Sequence, residues 1–292
     1  MSLSIAHLGP PGTYAEQAAV LYVNWLSKTT RIAATLCPYP SIAQSLQAVA
    51  AGETELAVVP VENSIEGSVT MTMDALWKLD SLRIQLALVM PIVHNLISCA
   101  PSLDHIQKVY SHPQALAQCQ NWLGKFLPTI QIIPSNSTTE ALQLLQQDVT
   151  ASAIASSRAA ELYNLPILAP GINDYPENCT RFLVVSQNNP TSEYQIHSLN
   201  PTHSSLAFSV PANIPGALIK PLQVFAELGI NMSRIESRPT KRSLGEYVFF
   251  IDLETDVTKP KMQSAIADLM GYMEILKIFG SYGVLSVNVV EP

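Results

Sequence analysis

Thr180 and Arg181 set a hydroxyl and a fixed cation side by side in Asn178-Cys179-Thr180-Arg181-Phe182, ahead of the apolar run Leu183-Val184-Val185. The apolar run has strand character. A hydroxyl and a guanidinium at its mouth could hold an anion in a cleft. Taken alone, these five residues read better as a turn with a solvated Arg. Three further polar stretches upstream shift the weight: residues 9–14, Glu62-Asn63-Ser64, and residues 111–118. Each follows an apolar run, and ligands of open α/β sheets sit at the carboxyl ends of strands.

The elements that must position these groups alternate strand and helix. Residues 4–8 read as a strand, and Gly9-Pro10-Pro11-Gly12-Thr13-Tyr14 as a rigid turn into a helix. Thr13 and Glu16 have capping-box spacing, and a backbone turn at a helix start can receive an anion. A strand at 32–36 and a helix from Ser41 to Gly52 follow. The strand at 55–59 then runs into a loop dense in carboxylates, amide and hydroxyls. Residues 82–99, broken at Pro91, read as extended chain crossing between two lobes. Strands at 108–110, 130–133 and 151–154 come next, with helices after Pro113, after residues 136–140, and over 156–165. Residues 170–178 bring the chain back. The pattern predicts two α/β lobes with a cleft between them.

Bulk composition narrows the partners. The chain has 292 residues, 48% hydrophobic and 13% charged, with a formal net charge of -7. That balance, without a basic patch, argues against nucleic acid. The longest apolar runs are too short to span a bilayer, and the first residues lack the features of a signal peptide. Cys37, Cys99, Cys119 and Cys179 show no CxxC spacing. They read as reduced thiols of a cytoplasmic protein, with no metal site expected.

Residues 188–203 read as a linker. Beyond it come a strand (206–210), a helix (216–228), two strands (230–237 and 246–254), a helix (261–273) and a strand (276–279). That order, βαββαβ, is ferredoxin-like. Pro221 requires the first helix of this unit to start late or to kink.

In combination, Gly9-Pro10-Pro11-Gly12-Thr13-Tyr14, Val59-Pro60-Val61-Glu62-Asn63-Ser64, Tyr110-Ser111-His112-Pro113-Gln114 and Thr180-Arg181-Phe182 resemble the prephenate dehydratase family. The form resembled has a single activity and a C-terminal ACT domain. Gly216-Ala217-Leu218 and Glu236-Ser237-Arg238-Pro239 resemble the two stretches by which its ACT domains hold phenylalanine. The resemblance covers nearly the whole chain. It implies an α/β fold with a two-lobed catalytic domain like periplasmic binding proteins over residues 1–187, crossing near 80–100 and returning near 170–187. The ACT domain would occupy 204–292. It also implies a homodimer or homotetramer and no cofactor.

The implied reaction converts prephenate to phenylpyruvate, with loss of carbon dioxide and water. Thr180 is expected to act on the leaving hydroxyl, as a proton donor or as a hydrogen-bond donor; Glu62, its pKa raised by burial, is the other candidate. Asn63, Ser111 and Gln118 match active-site positions that orient substrate through neutral hydrogen bonds. Arg181 is expected to grip the surviving carboxylate, supported by Thr13, Tyr14, Ser64, Thr138 and Phe182. The departing carboxylate should meet weak or apolar surroundings, because an ion pair there would favour the ground state. L-phenylalanine is the expected allosteric effector, held by Gly216, Ala217, Leu218, Asn231, Glu236, Ser237, Arg238 and Pro239. Arogenate dehydration is the rival chemistry, and a non-catalytic sensor the rival class.

Overall fold

The computed structural model describes residues 2–30, 32–140, 142–188 and 199–287. The first lobe contains β1 (Leu3–Leu8), α1 (Tyr14–Thr30), β2 (Ala34–Tyr39), α2 (Ile42–Ala51), β3 (Leu56–Asn63), β4 (Gly67–Ser68), α3 (Thr70–Lys78) and β5 (Leu82–Pro91). The second holds β6 (Asn95–Ile97), β7 (Lys108–Ser111), α4 (Pro113–Ala117), α5 (Gln120–Phe126), β8 (Gln131–Pro134), β9 (Ala151–Ala155), α6 (Ser157–Tyr163) and β10 (Ile167–Ala169). β11 (Cys179–Gln187) returns to the first lobe and pairs antiparallel with both β3 and β5. The C-terminal unit is β12 (His203–Ser209), α7 (Ile219–Glu227), β13 (Met232–Pro239), β14 (Tyr247–Leu253), α8 (Pro260–Leu269) and β15 (Ile275–Ser286). The α/β class, the two lobes and the βαββαβ order stand as expected.

Local signals explain many boundaries. Ser41 accepts from Gln44 N at the start of α2, and Gly52 ends that helix at φ 76. Thr13 Oγ1 accepts from Glu16 N at 3.3 Å, and Glu16 reaches back to Gly12 N at 2.7 Å. α7 starts late, at Ile219, so Pro221 lies in its first turn, where a backbone N–H has no intrahelical partner to lose. The α-helix expected after residues 136–140 is not there; a 3-10 turn, Leu142–Leu144, takes its place. Ser137 Oγ accepts from Glu140 N, and Glu140 accepts from Asn136 N, so side chains claim the backbone groups that would start a helix.

Two apolar layers flank the first-lobe sheet. On one face α1 packs against Ile5, Val58, Leu88, Phe182 and Val184. On the other, Met73 and Leu76 of α3 and Leu183 and Val185 of β11 share one cluster with Ala207, Val248, Phe250, Phe279 and Tyr282 of the C-terminal unit. The strand order β13-β14-β12-β15-β5-β11-β3-β1-β2 runs through both. β15 makes the join: its first part pairs with β12, and Gly283–Ser286 pair parallel with Leu86–Val89 of β5. The last expected strand, 276–279, is therefore the opening of a longer one that crosses into the first lobe.

Candidate active site

A cleft of about 860 Å³ lies between the lobes. Thr13, Tyr14, Asn63, Thr180 and Phe182 line it from the first lobe; His112, Gln118 and Asn136–Glu140 line it from the second; Ile92 and His94 line it from the crossing. The four polar stretches at strand ends thus converge, as their positions predicted.

At the floor is a chain of amides with one sense of polarity. Asn63 Oδ1 accepts from the backbone N–H groups of Ile65 and Glu66, both at 3.0 Å, which turns Nδ2 inward. Nδ2 donates to Thr180 Oγ1 at 2.9 Å and to Asn178 Oδ1 at 2.8 Å. Asn178 Nδ2 then donates to Gln118 Oε1 at 2.9 Å. An amide oxygen only accepts, so His94 Nε2, 3.0 Å from Gln118 Oε1, carries a proton. Its Nδ1 lies 2.7 Å from the Tyr14 hydroxyl, whose single proton is shared between Nδ1 and the Val93 carbonyl oxygen at 2.8 Å. Burial pushes the Tyr14 phenol well above its ordinary range and lowers the His94 pKa, so both are held neutral. The consequence falls on Thr180. Its oxygen already accepts a proton from Asn63, and its own O–H is free to point into the cleft.

Two assignments are corrected by the direction of the side chains. Arg181 and Glu62 face the C-terminal unit and not the cleft. Arg181 pairs with Glu62 at 2.8 Å and with Asp252 of β14 at 2.5 Å. Arg181 follows Thr180 on one strand, so the pleat sends it to the other face. Glu62 is turned by a β-bulge. Arg181 pairs with Glu62 but Phe182 with Pro60, leaving Val61 as an extra residue. The bulge breaks the alternation, placing Glu62 beside Arg181 and Asn63 beside Thr180.

Other expected residues hold structure. Ser111 Oγ is buried and donates to Ile154 O at 2.6 Å within the second lobe. Ser64 Oγ donates to Asn178 Oδ1 at 3.2 Å and accepts from Cys179 N at 3.0 Å, fixing the approach to Thr180. Gly12 N, a candidate anion donor, is taken by Glu16. Thr138 lines the cleft as expected. Sequence reading passed over His94 and Asn178, although Asn178 stands two residues before Thr180. Among the described residues lining the cleft there is no Lys or Arg; the basic groups are His94 and His112, and the carboxylate is Glu140.

The expected phenylalanine residues divide. Gly216, at φ 82, is exposed at the turn before α7, where Ala217 and Leu218 are half-buried. Along β13 alternate residues face opposite ways. Ser237 and Pro239 are exposed, whereas Glu236 accepts from Ser68 Oγ at 3.0 Å and Arg238 grips Asp74 of α3 through two nitrogens. Asn231 donates to Glu254 at 2.8 Å. In this chain Glu236 and Arg238 therefore tether the unit to the first lobe, contrary to a role confined to effector contact.

Two α/β lobes closing on a polar cleft, with a βαββαβ unit packed behind one of them, define a small-molecule enzyme carrying a fused regulatory module. The prephenate dehydratase family model matches residues 5–190, and the ACT domain model residues 204–269. The chain is 36% identical to a prephenate dehydratase of Lactococcus lactis subsp. cremoris over 291 residues, 98% of this chain and 99% of that protein. A bifunctional chorismate mutase/prephenate dehydratase of Aquifex aeolicus is 39% identical over 283 residues, 96% of this chain and 73% of that protein. A solved prephenate dehydratase of Arthrobacter aurescens, in complex with L-Phe, superposes with a TM-score of 0.84 at 33% identity, covering 96% of this chain and 90% of that one. The chain belongs to the prephenate dehydratase family, lyases acting on prephenate, and carries an ACT domain.

Proposed function

We propose that Thr180 and Asn63 together serve the departing hydroxyl of prephenate. The bond from the ring to its carboxylate breaks, releasing carbon dioxide, and its electron pair enters the ring. The ring becomes aromatic as the opposite C–O bond breaks, and the leaving hydroxide takes up a proton from solvent to become water. A threonine hydroxyl is a weak acid, so its O–H stabilises this oxygen as charge develops, and Asn63 Nδ2 stabilises the threonine oxygen in turn. The observation that carries this reading is the direction of the Asn63–Thr180 hydrogen bond, set by the Ile65 and Glu66 amides. Glu62 is held by Arg181 on the far face, which supports Thr180 over Glu62 as the donor.

With Arg181 turned away, the surviving carboxylate is met by the polar segment Asn136–Thr139 and His112, which line the cleft from the second lobe. Leu8, Pro60, Ile92 and Phe182 give the lining apolar surface. Such surroundings suit the carboxylate that must leave uncharged, since they do not stabilise its ground state. Phenylpyruvate formed from prephenate, measured beside arogenate at equal concentrations, tests the substrate. Faster turnover of arogenate would replace prephenate in this scheme.

The ACT unit reads as a phenylalanine-responsive module of a cytoplasmic homo-oligomer. L-Phe is bound in the Arthrobacter relative. Gly216, Ser237 and Pro239 are exposed, as are Ile214, Ile219, Ile235 and Leu244, and β13 is an edge strand that a second copy can cover. The four cysteines are free thiols, which fits a reducing compartment. Sedimentation with and without phenylalanine, run with the turnover assay on the full chain, tests assembly and inhibition together.

A further inference from the structure

Behind Thr180, on the face away from the cleft, lies a cluster of two cations and two anions. Arg181 and Glu62 come from β11 and β3; Arg234 and Asp252 come from β13 and β14 of the ACT unit. Arg181 lies 2.8 Å from Glu62 and 2.5 Å from Asp252; Arg234 lies 3.7 Å from Glu62 and 3.5 Å from Asp252. Asp252 is 4% exposed, and its other oxygen accepts from Ser205 Oγ at 2.5 Å, which in turn meets the Tyr282 hydroxyl at 2.6 Å. Burial works against the Arg181 charge, but Asp252, Tyr282 and Glu62 together outweigh it and raise the Arg181 pKa.

We infer that Asp252 and Arg234 are positioning residues for the dehydration, holding from the ACT side the two strands that present Thr180 and Asn63 to the cleft. The inference rests on the roles proposed above for those two residues. Thr180 pairs with Asn63 in the strand register, and Arg181 pairs with Glu62 one step further along. The bulge at Val61 lies at that step, where the ladder is interrupted and its own hydrogen bonds constrain the strands least. The ion cluster supplies the missing constraint. It pins the residue after Thr180 and the residue before Asn63 to one carboxylate and one guanidinium of the other unit. β4, which pairs with β3 through Glu62↔Ser68 and Asn63↔Gly67, is held by the same unit, as Ser68 meets Arg234 and Glu236. A shift of β13 is thereby a shift of the support beneath Asn63 and Thr180.

The double variant Arg234→Gln/Asp252→Asn removes one charge of each sign and leaves Arg181 paired with Glu62, so no buried charge is stranded. Prephenate turnover, melting temperature and phenylalanine response are measured on the full-length protein. The expected result is a kcat lowered by about two- to thirtyfold with KM unchanged. Phenylalanine should also change the remaining activity less than in wild type. A kcat and phenylalanine response equal to wild type, whatever the melting temperature, overturn the inference. Arg242→Gln/Glu274→Gln, which removes a surface ion pair of the same unit, is the control and should leave kcat unaltered. If the double variant does not fold, Asp252→Glu keeps the charge and lengthens the arm; it should lower kcat at constant KM, and wild-type kcat would again overturn the inference. Thr180→Val, run alongside, separates the two readings. An inactive Thr180→Val beside a fully active double variant rejects the positioning role alone, and an active Thr180→Val rejects the role of Thr180.

Discussion

Asn63 Nδ2 donates to Thr180 Oγ1 at 2.9 Å, across two neighbouring strands whose register is offset by a bulge one residue away. The bond fixes which partner gives the proton, because the other end of the Asn63 amide is held by the Ile65 and Glu66 N–H groups. Thr180 is left as a donor towards the cleft, and the Asn63 amide is placed to stabilise negative charge that develops on the threonine oxygen as it donates.

Asn63→Asp should remove that donor with little change in shape. The carboxylate would accept from Thr180 and draw its proton away from the substrate. Loss of one preorganised donor typically costs about a hundred- to a thousandfold in kcat. A steady-state assay should show that loss in kcat, with KM much less affected. A KM effect with kcat intact would assign Asn63 to binding alone.

His94 is held neutral by burial, its pKa lowered from the ordinary 6.5. The sign follows from proton uptake. Below pH 6.5 the unfolded chain binds a proton at this residue and the folded chain does not, so stability falls with pH until the folded imidazole also titrates. His94→Gln removes the group, and its melting temperature should depend less on pH below 6.5 than that of wild type. Parallel pH profiles for the two proteins would show that His94 titrates normally in the folded chain.

Gly280 sits at φ 128 where β15 passes from the ACT sheet to β5. A Cβ there would lie 3.0 Å from the Ile84 carbonyl oxygen. Gly280→Ala should cost about 1–3 kcal/mol, the usual scale of local backbone strain. Chemical denaturation would report it, and an unchanged midpoint would mean that the strand junction relaxes freely.

A chain ending at residue 203 should be poorly soluble. Met73, Leu76, Ile84 and Leu183 belong to one apolar cluster with Phe250, Phe279 and Tyr282, so removing the ACT unit uncovers them. Dye binding and light scattering would detect the exposed patch. A monomeric, soluble fragment with normal turnover would show that the first lobe is self-sufficient.

Much of the site was legible in the sequence because it lies where strands end. Tyr14, Asn63 and Gln118 lie in stretches that follow an apolar run and Thr180 in one that precedes a run, and the structure brings all four into one cleft. Which way a side chain faces was less legible. Strict alternation from Val59 would send Glu62 towards the cleft, and only the pairing of β3 with β11 reveals the extra residue that reverses it. The linker expected at 188–203 reads from its composition; residues 189–198 fall outside the described part of the chain. The sequence shows the ACT unit as a separate βαββαβ segment, but its shared core with the first lobe depends on contacts such as Phe250 to Trp77, far apart in the chain.

In the proposed reaction the Thr180 hydroxyl serves the leaving oxygen while Arg181 stands outside the cleft. The most direct measurement is the turnover of prephenate by Thr180→Val, which keeps the shape and removes the O–H. The expected kcat is lower by about a hundred- to ten-thousandfold, the range of a lost acid catalyst, with substrate binding retained in calorimetry. A kcat within a few-fold of wild type would contradict it.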